Sequence, residues 1–279
     1  MSETADLTPT QEKADEPDCP SCSATQDLQP IYVIGEIAPR FPSPAVQREF
    51  EFERASLPPG LTERGYLVAV LEKRPDLARM MCWVLATQGI ERYYLRPRTE
   101  VEARDLVDAL RRSEESTELD TYVAVGWMAG SQNCGGIEHP VLLIEFSYHF
   151  ELAAFLASMA SAIEVPAKNS KIFVARSKEV FLAAVASTGN DGLGRFRALN
   201  WTVTRLASFY ELISRSINND EAIRSVETRV SADGTSLVEI LVTLEPRKFG
   251  PASRYRLLID VADLYPYPLG QSFTQTFDI

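Results

Sequence analysis

A chain of 279 residues with 45% hydrophobic and 24% charged residues is ordinary for a globular protein and long enough to bury a large core. Its net charge is −11, and its Lys and Arg residues are scattered, so there is no basic stripe to follow a phosphate backbone and nucleic acid is not an expected partner. Residues 141–163 are the longest apolar stretch. Glu145, His149 and Glu151 interrupt it, which suits a strand running into a helix and excludes a membrane span. No basic-then-apolar leader opens the chain, and there are four cysteines, so the expectation is a cytoplasmic protein whose cysteines bind metal or are simply buried.

Residues 1–29 hold seven Asp or Glu against Lys13, with Leu7 and Leu28 the only large aliphatics; this predicts an acidic, flexible segment. A single domain is expected over 30–279. Ile31–Ile37 reads as a buried strand, and Ala45–Ala55, after Pro42 and Pro44, as a surface helix. Leu67, Val70 and Leu71 form one helical stripe. Pro75 opens a second helix that Leu77, Met81, Val84 and Leu85 carry toward Gly89, with Cys82 beside the stripe. Strands are then predicted at 91–98, 121–129 and 141–150, and helices between them and after the last. Residues 171–188 read as a short strand leading into a helix, and 194–220 as one long helix. The C-terminal third turns to strands, with Asp233-Gly234 marking a hairpin because its turn needs positive φ. The predicted class is α+β: a mixed, largely antiparallel sheet flanked by helices, with a C-terminal β-hairpin region.

No nucleophile elbow, phosphate loop, dinucleotide fingerprint or H-E-x-x-H motif occurs. His149, between Tyr148 and Phe150, reads as a hydrogen-bonded structural histidine, and His139, beside Pro140, as a solvated loop residue. The carboxylate pairs Asp260/Asp263 and Glu114/Glu115 fit solvated faces. Cys134, in Asn133-Cys134-Gly135-Gly136, could be an activated thiol only with a base such as His139.

The four cysteines make more sense together. Cys19-Pro-Ser-Cys22 has the spacing that brings two thiolates onto one Zn²⁺, and Cys82 and Cys134 could complete a closed structural set, with His139 as the substitute for Cys82. The alternative is a buried Cys82 and exposed Cys19 and Cys22 thiols. A redox role for Cys19 and Cys22 lacks a following helix N-terminus to depress a thiol pKa.

The blocks YVIGEIAPRFPSPAVQREF, LARMMCWVLATQGIERYYLRPR, NCGGIEHPVLLIEFSYHF, ALNWTVTRLASFY and RLLIDVADLYPYPL together resemble the C-terminal domain of unknown function of cyanobactin maturation proteases of the patellamide G and A type. The resemblance runs from Pro30 to near the C-terminus and includes the cysteine pair before the domain. It implies an accessory unit of ribosomal-peptide maturation, dimeric and zinc-containing, here as a stand-alone protein without the protease's catalytic motifs. The expected function is therefore non-catalytic: binding a precursor peptide or a modifying enzyme of the same pathway. The alternatives are a peptide-modifying enzyme using zinc or Cys134, and a homodimeric scaffold.

Overall fold

The computed structural model describes residues 28–111, 121–187, 193–232 and 236–276. Five strands close a barrel: β1 (Gln29–Arg40), β2 (Cys82–Thr87), β3 (Ile90–Arg96), β4 (Thr121–Cys134) and β5 (Ile137–Phe150), in the order β1-β2-β3-β5-β4. Every neighbouring pair is antiparallel except β3 with β5. Helix α4 (Glu100–Asp108) joins β3 to β4. One parallel pair and a helix between the third and fourth strands give the connectivity of the OB-type Greek-key barrel. Alternate residues of all five strands, among them Val33, Leu85, Leu95, Ala124 and Leu142, form one buried cluster that lines the barrel. Helices α1 (Pro44–Arg54), α2 (Glu63–Lys73) and α3 (Pro75–Met80), inserted between β1 and β2, close over the same cluster together with α4. Ser43, Thr62 and Thr99 start α1, α2 and α4 by accepting the amide three residues on.

The other face of β1 and β4 presents Tyr32, Ile34, Val123 and Val125 to a second core. Helices α5 (Leu152–Ala162), α6 (Ala167–Ser187), α7 (Gly194–Arg205) and α8 (Ala207–Asn218) share that core with an antiparallel sheet. The sheet orders β6 (Glu221–Val230), β7 (Leu237–Pro246), β8 (Ser253–Asp260) and β10 (Thr274–Thr276) as β10-β8-β7-β6, with β9 (Tyr267–Pro268) also on β8. The class is α+β, and β6 and β7 pair as the expected C-terminal hairpin. Asp233 and Gly234 themselves lie outside the described residues.

Three expected elements differ. The helix opened by Pro75 stops at Met80, and Cys82 begins a strand instead of sitting in a helix. Trp83 ends the helix by donating its indole N–H to the Ala78 carbonyl at 2.8 Å, a group the last turn leaves without a partner. All six residues of β2 are buried, so the strand lacks the polar alternation that would separate it from a helix. Gln88 (φ 52°) and Gly89 (φ 73°) form the two-residue turn into β3. Residues 171–188 contain no strand among the described residues. Phe173, Ser177, Phe181 and Ala184 are buried at spacings of four, four and three, along one face of α6.

The long helix expected over 194–220 breaks at Leu206 (φ −99°, ψ 106°). Thr202 and Thr204 donate their hydroxyls back to the carbonyls of Ala198 and Asn200, both at 2.8 Å, a bonding pattern that bends helices. Tyr210 then donates its hydroxyl to the Val203 carbonyl, which the break has freed.

Candidate functional site

Beyond Met128 the β4–β5 hairpin leaves the barrel wall. The register shifts between Met128 and Ser131, and Gly130 takes φ 68°, a bend that re-aims the hairpin as an arm. Gly135 (φ 60°) and Gly136 (φ 94°) make its tip, where Asn133 accepts the Gly136 amide at 2.9 Å. Only Cys134 and His139 are buried among residues 130–139. The arm lies on the outer face of β2 and β3, the face through which OB-type barrels commonly meet their ligands.

Each buried arm residue meets a barrel partner. Cys134 forms a disulfide with Cys82, with Cα atoms 6.0 Å apart across 52 residues of chain. Val84, Tyr94 and Val141 enclose the pair, and both cysteines are at most 1% exposed. This departs from the expected metal-binding or inert cysteines in one respect: the fold joins these two covalently. His139 is also not the solvated loop residue its Pro neighbour suggested. It is 4% exposed on β5, with Nε2 3.3 Å from Glu91 Oε2, close enough for an ion pair but without the alignment of a hydrogen bond. Arg40 engages the other Glu91 oxygen. Gln132 hydrogen-bonds the Tyr94 hydroxyl, whose pKa is raised because burial disfavours the phenolate.

The fold therefore brings together Cys82, Cys134, His139, Glu91 and Arg40. Cys19 and Cys22 lie outside the described residues. Among the described residues no group of three or more His, Cys, Asp or Glu could hold a metal. Cys82 and Cys134 could bind a metal only after reduction, because a cystine presents no thiolate. The same bond leaves Cys134 without a free nucleophile.

The remaining candidates are scattered. His149 is exposed on β5. Asp260 accepts the Ala262 amide at 2.9 Å and so shapes a turn. Asp263 offers its main-chain carbonyl to buried Arg197, which also binds the carbonyls of Val261 and Leu264. Burial lowers the Arg197 pKa to about 10. Glu114 and Glu115 lie outside the described residues. A groove of about 320 Å³ that no motif in the sequence marks lies between α2, α3 and α4, floored by Leu71, Ala78, Ala103 and Val107. Its rim carboxylates are already engaged: Glu72 and Asp108 by Arg111, and Glu100 by Arg104.

A family model described as PatG Domain matches residues 30–135, the span from the first strand to the arm tip. A solved structure titled "PatG Domain of Unknown Function" matches with a TM-score of 0.70 and 20% identity, over 88% of this chain and 98% of its own. The chain is similar to the PatG-type domain of unknown function. The PatG-type match in sequence covers β1 to β4, whereas the likeness in fold extends over most of both halves. At 20% identity that likeness establishes a shared fold and leaves the chemistry to the residues. No curated protein matches the chain.

Proposed function

We propose that this chain is a non-catalytic accessory protein of a cyanobactin-like ribosomal-peptide maturation pathway, binding the precursor peptide or a modifying enzyme. The observation carrying the reading is the PatG-type match over residues 30–135 together with the fold shared across most of the chain. The enzyme alternative has less support, because Cys134 is 0% exposed and bonded to Cys82. In a reduced chain, Cys82 and Cys134 would join Cys19 and Cys22 as zinc ligands. A zinc closed by four thiolates would hold the N-terminal segment against the barrel and supply stability without an open coordination position.

The test is incubation of the full chain with a cyanobactin-type precursor peptide, followed by calorimetry and mass spectrometry. Saturable binding with an unchanged peptide mass supports the reading, and a mass change overturns its non-catalytic part. Lack of binding removes the precursor as partner and shifts the test to the modifying enzymes that act on such a peptide. Sedimentation of the same sample decides between monomer and the expected homodimer.

A further inference from the structure

We propose that the Cys82–Cys134 pair is a redox latch: as cystine it fastens the β4–β5 arm over the outer face of β2 and β3, and as two metal-free thiols it releases the arm and uncovers that face. The inference stands on the fold of the arm and does not depend on the peptide-binding reading.

Four observations carry it. The arm is an appendage, since beyond Met128 its strands pair with each other and the register shift at Gly130 marks a bend. Eight of residues 130–139 are not buried, so the arm contributes little apolar surface of its own to hold itself down. Among the described residues it is attached by the cystine, the His139–Glu91 contact, the Gln132–Tyr94 hydrogen bond and the packing of Gly135 beside the Phe41 carbonyl. The surface beneath is apolar, formed by Val84, Tyr94 and Val141 and edged by Leu143. A covalent link joining residues 52 apart restricts the arm strongly, and its loss leaves contacts of the kind that open locally without global unfolding.

The chemistry is a two-electron exchange with a dithiol. In a local opening that bares the pair, a thiolate of the reductant attacks one sulfur, and the other cysteine leaves as thiolate and takes up a proton. The reductant's second thiol then displaces the first cysteine from the mixed disulfide. The protein gains two thiols and the dithiol becomes a disulfide.

The experiment uses the full chain with dithiothreitol as the probe. Thiols are counted after denaturation in chelator, and amide hydrogen exchange is followed with and without reductant. The expected result is two reactive thiols before reduction and four after it. Exchange in residues 129–140 should quicken on reduction by about tenfold or more, while residues 31–35 and 122–126 of the barrel wall stay unchanged. Cys134→Ser should show the fast arm in both conditions. Should that variant fail to fold, the reduced wild-type chain alone decides. Equal exchange in the two states overturns the latch, as does loss of protection throughout the barrel. Four thiols with one bound zinc in the untreated chain would also overturn it, since the pair would then serve permanently as metal ligands.

Discussion

Gly126 stands on the inner face of β4 where β5 passes closely. A Cβ there would fall on the Leu143 carbonyl, and one at Gly35 on β1 would fall on the Ala86 carbonyl. Both contacts are with main chain, so a small side chain could be accommodated only by moving a strand. Gly126→Ala is expected to cost about 3 kcal/mol, the upper end for overpacking a filled core, measured as a fall in the denaturant midpoint. An unchanged midpoint would show that the barrel wall gives more readily than its register allows. His139 carries the corresponding lesson for the site. Its neighbours are the exposed Glu138 and the half-buried Pro140, and nothing local marks it as buried. It is buried because the arm folds back onto β3 and sets it beside Glu91.

At the scale of elements, α7 is the helix that links the two halves. It lies between the outer face of the barrel and the second sheet, and Arg197, Asn200, Thr202 and Thr204 are all buried on it. Asn200 donates its side-chain amide to the Tyr32 carbonyl at 2.8 Å. Tyr32 in turn hydrogen-bonds Thr204, and its hydroxyl lies 3.2 Å from that of Tyr148. Asn200→Ala leaves buried polar groups without this bond and should cost about 1–3 kcal/mol, read as a lower thermal midpoint. A loss below about 0.5 kcal/mol would assign the junction to apolar packing alone. The sequence showed a helix here but not its break, because Thr202 and Thr204 favour bending only where their hydroxyls find carbonyls and Tyr210 can reach Val203.

For the whole molecule, burial raises the pKa of Tyr32, Tyr122 and Tyr210, Tyr122 to about 12. Unfolded tyrosine loses its proton near pH 10, so above that pH the unfolded chain binds fewer protons and is favoured. Stability from these three groups is full below about pH 10 and is lost as pH rises through their folded values. Arg197 acts oppositely, since its pKa is lowered to about 10 and unfolding takes up a proton above that pH. Three tyrosines outweigh one arginine, so the urea midpoint should fall from about pH 10 upward, with late phenolate absorbance appearing as the protein unfolds. A flat midpoint through pH 11, or ionisation of all ten tyrosines while the fold persists, would contradict this account.

The α+β class, most helix and strand positions and the PatG-type resemblance are legible in the chain alone. Those signals are local: apolar period, caps, turn residues and recognisable blocks. That β2 is a strand, that five strands close into a barrel, and that the arm carries Cys134 to Cys82 and His139 to Glu91 emerges only in the folded chain. β2 is buried on both faces and so has no periodic signature, and the arm's contacts join residues about fifty apart that no spacing rule pairs.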